Sequence, residues 1–259
     1  MLLEAKQMDF GYDSRRRIIH GVSLGLEHGS MTAVIGANGC GKSTLVRLLA
    51  GMLRPQHGSV LYRGVPLFER NRRELAKELA YVPQSLAGTF PFTSLEVVLT
   101  GRTPHASPFR LENAQDVERA MEALEIIGMP HLAARRITEI SGGERQLVSV
   151  ARALAQEPKC LLLDEPSASL DLKHRASLIR VLGELRRRSG LTVLMVTHDL
   201  NLLDPGFDRV FAMRCGQIDA SGPPHEVLRE HVLAEIYDDP YIRTRRVEGR
   251  LCVWSEVHP

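Results

Sequence analysis

The segment Gly36-Ala-Asn-Gly-Cys-Gly-Lys-Ser43 constrains this chain more than any other, because it fits G-x-x-x-x-G-K-[ST], and such a loop works only between a strand and a helix. Both neighbours are legible. Met31-Thr-Ala-Val-Ile is a short apolar run, and Lys42 to Leu49 contains no breaker and spaces Leu45, Leu48 and Leu49 at helical intervals. The glycines let the backbone turn with its N–H groups inward, and the helix N-terminus adds positive potential. Lys42 supplies a full charge, and the Ser43 hydroxyl suits Mg²⁺. The arrangement cradles nucleotide phosphates. A chain of 259 residues matches the four fixed positions by accident on the order of one time in a hundred, so a plain glycine-rich turn is the weaker reading.

The remaining pattern fixes the class. Ser23-Leu-Gly-Leu and the run from Met31 read as strands, separated by turn signals such as His28-Gly-Ser. From Ser94 to Leu154 the period becomes helical: Val117, Ala120, Met121, Leu124 and Ile127 recur at three- and four-residue steps. Ser141 and Glu144 form an S-x-x-E capping box ahead of Leu147, Val150, Ala151 and Leu154. Cys160-Leu-Leu-Leu and Leu191-Thr-Val-Leu-Met-Val-Thr are uninterrupted apolar runs, as expected for strands buried on both faces of a mostly parallel sheet, and a long helix, Lys173 to Arg188, lies between them. The expected class is α/β with an antiparallel β subdomain near the start and an inserted α-helical subdomain.

Composition narrows the partners. Lys and Arg total 33 against 31 Asp and Glu, so no strong field draws the whole chain to nucleic acid. The basic groups Arg15 to Arg17, Arg186 to Arg188, and Arg243, Arg245 and Arg246 lack interleaved aromatics and read as solvated faces or turn tips. Cys40, Cys160, Cys215 and Cys252 form no C-x-x-C pair, which points away from zinc or an iron–sulfur cluster and toward a reducing compartment. Glu4 and Lys6 interrupt any secretory signal at the start, and no stretch of about 18 apolar residues offers a membrane span.

Two further segments carry chemistry. Leu161-Leu-Leu-Asp164-Glu165 is a buried strand ending in two carboxylates: one can hold a metal's water shell and the other can orient or deprotonate an attacking water. Ile140-Ser-Gly-Gly-Glu144 starts a helix with two glycines and a hydroxyl, an anion site without a lysine. Here the chain resembles the ATP-binding-cassette (ABC) ATPase family, whose signature L-S-G-G-Q precedes such a helix. Ile140 and Glu144 stand where that pattern has Leu and Gln.

The resemblance covers residues 3 to 230 and implies a P-loop NTPase. Its RecA-like core with the β subdomain spans 1–85 and 157–230, its helical subdomain spans 86–156, and the tail, 231–259, carries no readable motif. It implies ATP and Mg²⁺ as cofactors. Tyr12 would stack on adenine, and Gly36, Asn38, Gly39, Cys40, Gly41, Lys42, Ser43 and Thr44 would hold phosphates. Ser43, Gln84 and Asp164 would serve Mg²⁺, Glu165 the water, and His198 the γ-phosphate, with Gln84 also acting as a hinge. Ser141, Gly142, Gly143 and Glu144 would reach the γ-phosphate of a second copy. Asp171 would lie in the loop that crosses the dimer interface, where Leu170 replaces the more usual Ala and leaves the packing open.

In this family the signature helix projects from the insert, so loop and signature of one chain do not meet on one nucleotide. The resemblance therefore implies a homodimer sharing two ATPs, coupled to two permease subunits through the surface around Gln84 to Glu96. Gly101-Arg-Thr-Pro-His105 and Ser167-Ala-Ser-Leu-Asp-Leu-Lys-His174 look like the importers of iron-siderophore, haem and cobalamin, a group that also has molybdate members. That reading puts the chain peripherally on the cytoplasmic face of the inner membrane, with a substrate-binding protein as an indirect partner. Two other classes stay open. A chromosome-maintenance or repair ATPase would carry a long coiled coil or a zinc insert between loop and signature, and neither is in the sequence. An assembly-factor ATPase would act on soluble partners, such as those for iron–sulfur clusters.

Overall fold

The computed structural model describes residues 1–13, 16–85, 91–106 and 113–256. The chain opens with β1 (Leu3–Phe10), β2 (Ile19–Leu26), β3 (Met31–Gly36), α1 (Lys42–Leu49), β4 (His57–Tyr62) and β5 (Val65–Pro66). It continues with α2 (Arg72–Glu78), β6 (Leu79–Val82), α3 (Ser94–Leu99), α4 (Ala114–Ile126), α5 (Gly142–Ala155), β7 (Cys160–Asp164) and α6 (Leu172–Ser189). The last part holds β8 (Thr192–Val196), β9 (Arg209–Arg214), β10 (Gln217–Gly222), α7 (Pro224–Val227), α8 (Glu230–Tyr237), β11 (Ile242–Val247) and β12 (Arg250–Ser255). These elements form two compact units, residues 1–69 with 192–259 and residues 70–191.

In the first unit, β3 is the pivot. All six of its residues are buried, and it pairs in parallel with β8 on one side and β9 on the other. Every residue of β8 is buried too, as unbroken apolar runs require when both faces of a strand are covered. β9 turns back antiparallel into β10. A second sheet, in the order β2-β1-β4-β5, is antiparallel throughout; of the two strands read near the start of the sequence, Ser23-Leu-Gly-Leu lies in its β2, and the run from Met31 is β3. α1 begins at Lys42 and buries Leu45, Val46, Leu48 and Leu49, the face its spacing predicts.

The second unit is mainly helical around a parallel pair, β6 with β7. α5 packs against both α3 and α4, and Leu147, Val148, Val150, Ala151, Ala153 and Leu154 are buried along it. A buried cation braces the cluster. The Arg102 guanidinium donates to the Asp116 carboxylate at 3.0 Å, to the Ala155 carbonyl at 2.7 Å and to the Glu157 carboxylate at 2.7 Å. Pairing with two carboxylates and a carbonyl is what a desolvated charge needs. The Gly101–His105 stretch thus contains a structural anchor at Arg102, and the His105 Nε2 lies 2.9 Å from the Gln156 carbonyl.

The segment from residue 230 is more ordered than its sequence suggests. α8 buries Leu233 and Ile236, and β11 and β12 pair antiparallel over their whole length. No helix among the described residues is long and apolar enough to cross a membrane.

Candidate functional site

The loop after β3 owes its shape to glycine. Gly39 and Gly41 adopt φ of 77° and 108°, backbone that a side chain would strain. The turn delivers the chain to the N-terminus of α1, where the first N–H groups have no partner within the helix. Lys42 is only 5% exposed, and its ammonium donates to the carbonyls of Gly36 at 2.9 Å and Ala37 at 3.0 Å. Carbonyls solvate this charge without cancelling it, so an anion entering the loop gains a desolvated cation and the helix terminus together. Thr44, next to Ser43 on α1, is buried, and its hydroxyl lies 3.5 Å from the Tyr12 hydroxyl. Tyr12 is 57% exposed and meets Phe10 edge-on, with ring centroids 5.1 Å apart, which leaves a ring face open near the loop. His198 belongs to the same unit, exposed just beyond the buried end of β8, where the Asp199 N–H donates to the Thr197 hydroxyl at 3.0 Å.

The acidic pair belongs to the other unit. Asp164, the last residue of β7, is 1% exposed and accepts from the Tyr81 hydroxyl at 3.3 Å. Glu165 follows with φ of 50°, a left-handed conformation that costs a non-glycine residue about 1 kcal/mol or more and re-aims its side chain as the strand ends. Its carboxylate accepts from the Gln84 amide at 2.8 Å, so Gln84 and Glu165 meet although 81 residues separate them. The oxygens of Asp164 and Gln84, like the Ser43 hydroxyl, are hard donors of the kind Mg²⁺ takes while it keeps waters and substrate phosphates. Among the described residues no three His, Cys, Asp or Glu side chains cluster to hold a metal by themselves.

The Ile140–Glu144 segment folds as its pattern predicts. Ser141 caps α5: its hydroxyl accepts from the Glu144 N–H at 3.2 Å, and the Glu144 carboxylate accepts from the Ser141 N–H at 2.7 Å. Those bonds hold the Glu144 carboxyl below the usual carboxylate range. The box leaves the Gly142 and Gly143 amides at the end of the helix. Ser141 and Gly142 are exposed, while a side chain on Gly143 would stand 2.9 Å from the Ser169 carbonyl. The tip is therefore packed against the 167–171 loop, whose Leu170 is buried. Asp171, exposed, caps α6 by accepting from the His174 N–H at 2.8 Å, which lowers its carboxyl pKa.

The structure brings the loop residues and Tyr12 together within one unit, and Gln84 with Glu165, and the signature with the 167–171 loop, within the other. The coupling surface read at 84–96 includes 86–90, which lie outside the described residues. One contact has no motif to announce it. The Tyr237 hydroxyl, at the end of α8, is enclosed beside Gly36 and Cys40, and burial pushes its pKa up to about 12.

The family model described as ABC transporter matches residues 19–168. The hemin import ATP-binding protein HmuV of Streptomyces coelicolor is 42% identical over 226 residues, covering 87% of this chain and 79% of the relative. The ferric enterobactin transport ATP-binding protein FepC of Escherichia coli is 34% identical, covering 93% and 92%. Among solved structures, an inward-facing metal-chelate type ABC transporter superposes with a TM-score of 0.82 at 29% identity, over 97% of this chain and 95% of that one. A dimeric ATP-binding cassette in a post-hydrolysis state with ADP and Pi gives 0.77 at 25% identity, over 86% and 98%.

Proposed function

Because the chain belongs to the ABC transporter family and is an ATP-binding, ATP-hydrolysing subunit of it, we propose that it powers a membrane importer of a metal chelate such as an iron-siderophore, haem or cobalamin. One observation supports the nucleotide site above the rest: a buried ammonium, Lys42, sits at a glycine-built helix terminus and donates to the neutral carbonyls of Gly36 and Ala37. The import reading draws support from the relatives, whose names specify hemin and ferric enterobactin, and from the metal-chelate type of the similar structure.

In the proposed reaction, Gly36 to Thr44 hold the phosphates, and Tyr12 offers its open ring face to the adenine. Mg²⁺ bound to the phosphates would be held by Ser43, Gln84 and Asp164 and would neutralise charge on the triphosphate. Glu165, oriented by Gln84, holds the attacking water and takes its proton, and His198 stands at the γ-phosphate. Ser141 to Gly143 of a second copy close the site from the other side, while Glu144 sets the shape of that tip and Asp171 that of the adjoining loop. ATP thus draws two copies together, and hydrolysis releases them. The stroke passes to two permease subunits, which hold the dimer at the cytoplasmic face of the membrane.

Glu165→Gln tests the chemistry: turnover drops by roughly 10² to 10⁴ while ATP binding is retained, and light scattering shows ATP doubling the mass of this variant. Wild-type turnover in the variant removes Glu165 from its role. The import reading predicts co-purification with a polytopic permease and, in liposomes, ATP turnover stimulated by binding protein loaded with a ferric chelate. Stimulation by molybdate instead reassigns the cargo.

A further inference from the structure

The first unit contains a cavity of about 830 Å³ whose wall includes the outer side of the glycine loop, Ala37 to Cys40, the β9–β10 turn at Cys215 and Gly216, and Tyr237. Two of the four cysteines therefore face one space. They are also tied through the backbone: the Gly216 N–H donates to the Cys40 carbonyl at 3.0 Å, and the Gly216 carbonyl accepts from the His20 N–H at 2.9 Å. With standard bond lengths on either side of that hydrogen bond, the Cα atoms of Cys40 and Cys215 are at most about 8 Å apart. A disulfide takes Cα atoms roughly 4.4–6.8 Å apart, so an adjustment of about an ångström or two in a loop and a turn closes the gap.

The pair is also asymmetric. Cys215 is exposed and sits at φ 46°, the first position of a two-residue turn with Gly216 at φ 81°. Cys40 is buried, 8% exposed, between the positive-φ glycines 39 and 41. Burial pushes its thiol pKa up, Lys42 draws it down, and Cys215 is near enough to raise it further. The Cys40 sulfur packs against Gly36, 2.9 Å from where a β-carbon would stand, and so helps set the loop's shape.

We propose that Cys40 and Cys215 are a redox modification site, in which a disulfide between them pulls the glycine loop out of its phosphate-binding shape. The proposal rests on the reading of Gly36 to Thr44 as the nucleotide loop. The chemistry needs a two-electron oxidant such as hydrogen peroxide. Peroxide oxidises the accessible Cys215 thiol to a sulfenic acid and leaves as water. The Cys40 sulfur then attacks the Cys215 sulfur, the S–S bond forms, and the sulfenic hydroxyl departs with the Cys40 proton as a second water. In sum, two thiols and one peroxide give one disulfide and two waters, and a dithiol reductant reverses the change. A bond of this type in a reducing compartment is transient and regulatory.

The test is peroxide treatment of the full chain, followed by non-reducing peptide mass mapping and, separately, titration with a fluorescent ATP analogue. The expected map contains a Cys40–Cys215 cross-linked peptide. Oxidised wild type then binds the analogue at least about tenfold more weakly, the loss expected when loop amides no longer meet a charged phosphate, and dithiothreitol restores it. Cys215→Ser keeps wild-type affinity before and after peroxide. A bridge to Cys252, single-site oxidation without a cross-link, or a cross-linked protein that binds normally overturns the proposal. Reduced wild type that binds no analogue overturns the loop reading instead, a failure told apart because the cross-link is scored without nucleotide.

Discussion

The Gly36–Ser43 loop and the Ser141–Gly143 tip are both helix N-termini furnished with glycines, yet they are built for opposite degrees of self-sufficiency. Behind the loop lies a fully buried strand, and within it a buried ammonium is held by neutral carbonyls. The tip is exposed, has no cation of its own among its motif residues, and places the Glu144 carboxylate on the amide of Ser141. A negative side chain at that spot opposes capture of a free phosphate, while the two glycine amides beside it can still add to a phosphate already delivered. On the proposed reading, the loop binds a phosphate alone and the tip completes a site begun by another copy.

Substitutions sharpen this contrast in order of effect. Ser141→Arg fills the tip with bulk and should cut turnover by at least about 10²-fold, as loss of a transition-state donor does, while the ATP affinity of the isolated subunit stays at the wild-type value in an equilibrium titration. Full turnover in that variant would show that the tip completes nothing. Lys42→Ala should do the reverse, weakening ATP binding by the isolated subunit about 10- to 100-fold through loss of charge-assisted hydrogen bonds, measured by the same titration.

Glu144→Gln should change turnover less than about twofold near neutral pH, because a glutamine keeps the capping box. The variants separate in acid. The Glu144 pKa is depressed from 4.5 in the fold, so its contribution is fully present above 4.5 and is lost as pH falls through the lower folded value. The acid-unfolding profile of the wild type carries that limb, and the profile of Glu144→Gln lacks it.

What the sequence made legible follows the same physical line. Where backbone geometry admits few residue types, the letters were enough: the glycine loop, the Ser141–Glu144 box, and the buried strands β3, β7 and β8 with the helices between them. The hairpins were harder. The β4–β5, β9–β10 and β11–β12 turns all have positive φ at two successive residues, Arg63–Gly64, Cys215–Gly216 and Glu248–Gly249. Asn or Asp normally announces such turns, and here the first position is Arg, Cys or Glu. β11, Ile-Arg-Thr-Arg-Arg-Val, shows no clean alternation, and α8 has only two turns, so the region from 230 gave no periodic signal despite its order. Candidate site residues were legible as types and spacings. The Gln84–Glu165 bond and the enclosure of Tyr237 against the loop depend on tertiary approach, which no local pattern encodes.

A crystal structure of Glu165→Gln with Mg-ATP tests the central claim most directly. The account predicts two copies enclosing two nucleotides, each γ-phosphate about 3 Å from the Lys42 ammonium of one copy and from the Ser141 hydroxyl of the other. A triphosphate enclosed by a single copy, with Ser141 to Gly143 in solvent and the wild-type monomer hydrolysing ATP at full rate, would contradict it.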